Sequence, residues 1–578
     1  MISHRRAIVA VMAALALPAL VPASAGAHAA LLKERPAASG ILNAAPAQVR
    51  LLYSEPVEPR FAIVSVTDQN GNRVTSARPA RSPSNADELD VPLKKLSKGW
   101  YLVYWRVISV DGHPVRGAFT FAVGPNAGPP PQFDVPSLTE TAATPGLVIT
   151  RWLVLLSLMC SVGLLAFRLL VARVLLRRVP ESSLRAVSIG LAASLAVAIV
   201  AAAVYVLMAT AEFAQVGFFD FSTTLPLVRD SAFGRGYSDL VFVLALLAVA
   251  AAIAVRIDQP RREHRSVAEL GATGGALLAA AAALAIPGLA GHASTYAPRG
   301  YSLVLDWSHM LAGGVWVGGL VGLTILGFAA GAARVACMVV VVPRFSRVAL
   351  GSVLLLITSG TLAALGRLPT LASLWDTGYG QALIVKIGLL LGALVIAAVN
   401  LLRTTPRLGA SDRRPELAAP ATTLLRRLVG GEVLLTFSAV FAAGVMSSLA
   451  PPPQSLAEIG TAQAKVGPGK VDHMVKEGGY QLQFGVSPNR AARPNAFSVK
   501  VTKDGKPVSG ADVVAKFTML DMEMGQQSFK LKEVSPSFYR LGGGVLPLVM
   551  AGHWGLDFTI APRGEKPFQI LLLDKALG

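Results

Sequence analysis

Three groups of residues in this 578-residue chain have the types and spacing needed to hold a metal ion. The first begins with a histidine that export would make terminal. His4, Arg5 and Arg6 form a charged start, an apolar stretch runs from Ala7 to Val21, and Ala25-Gly26-Ala27 supplies small residues for cleavage. Residues 1–27 therefore read as a signal peptide, and cutting after Ala27 leaves His28 with an α-amine and an imidazole that can chelate one ion. Such a pair suits tetragonal Cu(II). Asp111-Gly112-His113-Pro114 offers a further nitrogen and a carboxylate, two residues apart and so on one side of an extended stretch. Taken alone, Asp111 and His113 would equally suit a turn.

The second group is Met519-Leu520-Asp521-Met522-Glu523-Met524, with three thioethers in six residues. Met522 and Met524 share one face if the segment is extended, and clustered thioethers favour Cu(I). Met550 and His553 follow nearby, although an exposed methionine patch is also a soft protein-contact surface. The third group lies at apolar runs. The chain has only eight histidines, of which His292 follows one such run and His309 opens the next, with Asp306 one turn earlier on the same helix face. An acid and a histidine at the membrane rim point to function, and Met159, Cys160, Met208 and Met310 are deeper soft donors that would otherwise fill helix cores.

The elements that position these residues follow from hydropathy. Hydrophobic residues make up 53% of the chain and charged residues 15%, and the mean hydropathy is +0.54, which excludes an ordinary soluble protein. From 28 to 124 no run can span a bilayer. Alternating stretches at Gln48–Tyr53, Ala62–Thr67, Trp100–Ile108 and Ala118–Val123 predict a small β-sandwich there, and the proline-rich 125–145 is a linker. Eight apolar stretches fill 146–449, centred near Leu158, Val197, Leu247, Ala281, Val317, Leu356, Leu391 and Ala439. A linker at 450–470 leads to 471–578, where strands at Tyr480–Val486, Phe497–Thr502 and Gly555–Ile560 predict a second, immunoglobulin-like sandwich.

Net charge is +19, but the arginines sit in short clusters between apolar runs rather than on one polar surface, so no nucleic-acid partner is expected. If the front sandwich is exported, seventeen arginines fall in the loops that must be cytoplasmic, against four in the outward loops, namely Arg229, Arg235, Arg299 and Arg367. This bias agrees with the signal peptide. It predicts a multi-pass protein of the cell (inner) membrane with both soluble domains on the extracytoplasmic side. Only Cys160 and Cys337 are present, so no disulfide framework is expected.

Residues 28–123 resemble the CopC copper resistance family. The likeness rests on His28, on Tyr53-Ser54-Glu55-Pro56, and on Trp105-Arg106-Val107-Ile108-Ser109-Val110-Asp111-Gly112-His113-Pro114. It implies a cupredoxin-like sandwich with His28, Asp111 and His113 as Cu(II) ligands and Glu55 as a weaker nearby acid. Unlike some members, this chain has no methionine between His28 and Gly124, so a site for Cu(II) alone is expected.

Residues 145–449 resemble the CopD family through Gly291-His292-Ala293, Asp306-Trp307-Ser308-His309, Trp316-Val317-Gly318-Gly319, Phe345-Ser346, Tyr379-Gly380 with Lys386, and Asn400. That resemblance implies copper movement across the membrane. The methionine segment resembles the YtkA-like and FixH-like exported domains. The whole is thus similar to a CopC–CopD fusion of YcnJ type. The metal-site expectations are His28, Asp111, His113, Glu55, His292, His309, Met519, Met522 and Met524.

No glycine-rich phosphate loop followed by Lys-Ser/Thr is present, so nothing in the chain resembles a P-loop ATPase. The sequence reads as a transporter or metal-binding protein rather than an enzyme. The leading reading is a copper importer that captures Cu(II) outside and holds or delivers Cu(I) through the rear domain. A second is an outward-facing copper store or metallochaperone that supplies a membrane oxidase, with a periplasmic copper chaperone as a further partner. A third is a haem-bearing reductase that uses His292 and His309 as axial ligands.

Overall fold

The computed structural model describes residues 31–37, 40–109, 114–124, 144–291, 298–410, 414–449, 452, 462–491, 494–520, 526–541, 547–548 and 551–577. The expected metal ligands His28, Asp111, His113, His292, Met522 and Met524 fall outside the described residues.

The front domain is the expected sandwich of two four-stranded sheets. One has the order β1 (Leu31–Arg35), β3 (Gln48–Tyr53), β6 (Asn85–Pro92), β5 (Ala80–Ser82). The other has β2 (Ile41–Leu42), β8 (Pro114–Val123), β7 (Gly99–Ile108), β4 (Ile63–Asp68). Alternation makes the core: Val49, Leu51 and Tyr53 from β3 meet Tyr101, Val103, Trp105 and Val107 from β7. The other face of β7 and β8 is also covered. Leu102 and Ala118 are buried and, with Tyr104, share one apolar cluster with the rear domain's core, so the two soluble domains form part of one compact unit.

The rear domain is β-rich, with one continuous ladder in the order β10 (Val471–Glu477), β11 (Tyr480–Ser487), β12 (Ala496–Lys503), β16 (Phe538–Arg540), β15 (Gln526–Ser535), β14 (Asp512–Met519), β17 (Gly552–Ala561), β18 (Phe568–Ala576), β9 (Ala464–Val466). The ladder folds over on itself. Phe484 of β11 and Phe558 of β17, far apart in strand order, have ring centroids 4.8 Å apart, and Phe497 of β12 meets Phe517 of β14 at the same distance. Strand β9 lies before residue 471 and pairs in parallel with β18.

Among the described residues, eight helices are long and apolar enough to cross a membrane: Pro145–Arg178, Arg185–Ala214, Ala232–Ile257, Val267–Leu289, Arg299–Ala329, Gly331–Arg367, Gly378–Gly409 and Ala418–Met446. They are called here the first to eighth spans. The first and fifth cross at near-contact distance, because a Cβ on Gly318 would lie 2.5 Å from Gly163 Cα. Met159, Cys160 and Met310 pack into this crossing with Val317 and Val440, and both cysteines are free and buried.

Charges read from sequence as orientation signals also tie the helices together. Arg168 Nη1 lies 2.7 Å from Asp258 Oδ2, Arg173 Nε 2.8 Å from Asp258 Oδ1, and Arg173 Nη2 3.3 Å from Glu269, with all four side chains nearly inaccessible. Removing one member of a buried pair strands the others. Asp258→Asn is therefore expected to destabilise the membrane domain by roughly 3–5 kcal/mol, read as a lowered thermal unfolding midpoint in detergent. An unchanged midpoint would show that Arg168 and Arg173 find other partners.

Candidate metal centre

In the front sandwich, three segments end at one pole. Leu31 of β1 pairs with Tyr53, the last residue of β3, so β1 begins where β3 runs into the Ser54-Glu55 turn. β7 and β8 form a hairpin whose last pair is Ile108 with Pro114. The hairpin is tied to the turn: the Ser109 hydroxyl donates to Glu55, Val57 bridges Ser109, and Glu58 N–H donates to Ile108 O at 2.9 Å. Glu55 thus stands beside Ser109, just past the end of β7. Beneath it, Tyr53 is buried edge-on against Trp105 with centroids 5.6 Å apart, and burial pushes its phenol well above the usual tyrosine range. Its hydroxyl has no hydrogen-bond partner among the described residues, so a phenylalanine there would lose nothing.

In the membrane domain, His309 sits on the fifth span and faces the sixth. Its Nδ1 lies 3.2 Å from Leu356 O and 3.2 Å from Ser359 Oγ. The Ser359 hydroxyl already donates to Leu355 O at 2.6 Å, so both neighbours of Nδ1 act as acceptors. The proton therefore belongs on Nδ1, and Nε2 keeps its lone pair, the arrangement found in ligating histidines. Gly360 makes room for the ring, since a Cβ there would come 2.8 Å from His309 Cε1.

Asp306, one turn before His309, has Arg367 Nη2 at 3.9 Å from Oδ1, and Lys386 on the seventh span adds positive charge near both residues. Trp307 is an interhelical tie, its Nε1 donating to Ala281 O of the fourth span at 2.9 Å. Met208 packs against Gly146.

Met519 closes β14 opposite Trp554 and is buried in the rear core. Leu520 N–H donates to His553 O at 2.8 Å, so the residue that follows β14 is held beside β17. Among the described residues no three His, Cys, Asp or Glu side chains come together as a metal cluster.

Residues missed by sequence reading include Arg151 and Glu432. Arg151 lies buried in the first span, where its Nε donates to Tyr205 Oη at 2.9 Å and its Nη1 to Ser447 O at 2.7 Å. A lone arginine seven residues into an apolar run was a readable signal for it. Glu432 is the only acidic residue of the eighth span.

A β-sandwich, eight apolar helices and a β-rich tail define a multidomain membrane protein. Comparison with known proteins connects it with copper. The CopC domain model matches residues 31–124, the Copper resistance protein D model 339–446, and the YtkA-like model 474–558. The Copper transport protein CutJ of Bacillus subtilis (strain 168) is 27% identical over 535 residues, covering 90% of this chain and 91% of the relative. Protein YobA of Escherichia coli (strain K12) is 38% identical over 105 residues, 18% of this chain and 85% of the relative. Copper resistance protein C of Xanthomonas campestris pv. juglandis is 34% identical over 110 residues, 18% of this chain and 86% of the relative. The chain belongs to the CopC–CopD fusion family of copper resistance and transport proteins, with a YtkA-like domain at its C-terminal end.

Proposed function

We propose that this protein captures Cu(II) outside the cell membrane and passes copper into the cytoplasm. The carrying observation is that the start of β1, the Glu55 turn and the paired ends of β7 and β8 meet at one pole of the front sandwich. That pole would bring the His28 amine and imidazole, Asp111 and His113 together around one Cu(II), with Glu55 alongside. Capture on the outer face follows from the signal peptide and from the arginine bias of the loops.

From there copper would pass to the membrane domain at His292 and His309, whose Nε2 is the available donor. The rear domain, packed against the front sandwich through Leu102, Tyr104 and Ala118, would hold Cu(I) with Met519, Met522 and Met524. Replacing these three methionines with leucine is expected to weaken Cu(I) binding at least about tenfold and leave Cu(II) binding unchanged. A competition titration with a Cu(I) chelator checks this, and equal Cu(I) affinity would remove the rear domain from the account.

Cells carrying the chain should hold more cytoplasmic copper than cells lacking it at equal external copper. Equal internal copper, combined with loss of oxidase activity, would favour an outward copper store that feeds a membrane oxidase. A Soret band in the purified protein would favour the haem reading instead.

A further inference from the structure

Glu432 is the middle residue of the eighth span, and its carboxyl is nearly inaccessible. Among the described residues it enters no ion pair. Its hydrogen-bond partner is Asn400 of the seventh span, whose Nδ2 donates to Oε1. Of the charged groups on the helices packed against the eighth span, Arg151 bonds Tyr205 and Ser448, Arg168 bonds Asp258, His309 meets Leu356 O, Arg344 bonds Val340 O, Arg367 faces Asp306, and Arg403 and Arg407 are exposed. On its own helix, Arg426 lies over the Phe328 ring, 5.7 Å from its centroid. A carboxyl so placed persists in a membrane only if its charge can be neutralised by a small cation.

Two buried oxygens on the segment that carries Asn400 lack partners. Asn400 Oδ1 and Thr404 Oγ1 are both buried without a hydrogen bond. The cause is local: residues Asn400–Thr404 form a π turn, in which the Asn400 carbonyl accepts from the Thr405 amide and from the Thr405 hydroxyl at 3.1 Å. Thr404, one turn on, thus loses the carbonyl its hydroxyl would normally use. Turns of this kind occur often at functional sites. The amide is also reversible. With Glu432 charged, Asn400 donates through Nδ2; with Glu432 protonated, a rotated amide can accept the acid O–H through Oδ1, so both states find a partner.

We infer that Glu432, Asn400 and Thr404 form a proton-exchange site inside the membrane domain, and that its loading is coupled to copper passage. One proton binds one Glu432 carboxylate to give the acid, and its release restores the carboxylate, with the Thr404 hydroxyl able to accept and donate along the path. The coupling rests on the transport reading above, whereas the proton exchange does not.

The test is an infrared titration of the full chain in lipid nanodiscs, with and without copper. A protonated-carboxyl band should fade as pH rises, be missing in Glu432→Gln, and shift its midpoint by about one pH unit when copper is added. Thr404→Val should keep the band but slow its hydrogen–deuterium exchange at least about tenfold. If the Gln variant fails to accumulate, Glu432→Asp, which moves the band rather than deleting it, makes the assignment. Absence of any titrating band that depends on position 432 would overturn the proposal. So would a band removed by sodium at constant pH, since the occupant would then be a metal cation. A titrating band that copper leaves in place would overturn the coupling while sparing the exchange site, even in a protein that moves no copper.

Discussion

Adding one residue ahead of His28 in the mature chain is expected to lower Cu(II) affinity at the front domain by at least about 100-fold. The extension turns the terminal amine into an amide, which no longer offers a lone pair, and so removes one ligand and opens the chelate ring. Losing only a supporting contact to a metal ligand already costs 10–100-fold in typical sites, so losing a ligand should cost more. The fold itself should be untouched, because β1 begins only at Leu31 and its pairing with β3 lies beyond the change. Competition against a Cu(II) chelator, with circular dichroism as the control for folding, reads the effect. Equal affinity of the extended and mature forms would show that the amine is not a ligand.

The second large effect is expected at His309. His309→Ala should abolish copper passage, and Gly360→Ala should reduce it by about 10–100-fold without removing any donor atom. In the second variant the new Cβ would fall 2.8 Å from Cε1, so the ring must leave the position in which Nδ1 meets Leu356 O. The Nε2 lone pair then loses its aim. A Gly360→Ala protein that transports normally would show that ring orientation is irrelevant, and would recast His309 as a helix-packing residue.

Much of the architecture could be read from the sequence because its signals are local. Gln48–Tyr53 is the strand its alternation predicted, and all eight predicted span centres fall inside helices. Asp504-Gly505 is a local turn signal, and both residues adopt positive φ between β12 and the two-residue strand β13 (Lys506–Pro507). Of the candidate front site the structure describes Glu55, and the Ser109–Glu55 hydrogen bond links two segments 54 positions apart.

What the sequence hid depends on which helix meets which. Arg173 looked like an inner-loop charge, and only the packing of Asp258 and Glu269 against it shows a buried tie. Glu432 and Asn400 are 32 residues apart and share no motif spacing, so their bond appears only when the seventh and eighth spans are placed. Strand β9 escaped for a similar reason: three residues in a polar stretch become a strand only because β18 offers an edge.

The central claim is inward passage, and uptake into vesicles tests it most directly. Protein would be reconstituted with its soluble domains facing the external buffer, copper supplied outside, and a copper-sensitive dye enclosed. Copper should enter at least about tenfold faster than in protein-free vesicles, and His309→Ala should return the rate to that background. Background rates from a protein that still binds Cu(II) at its front domain would contradict import and leave a copper store in its place.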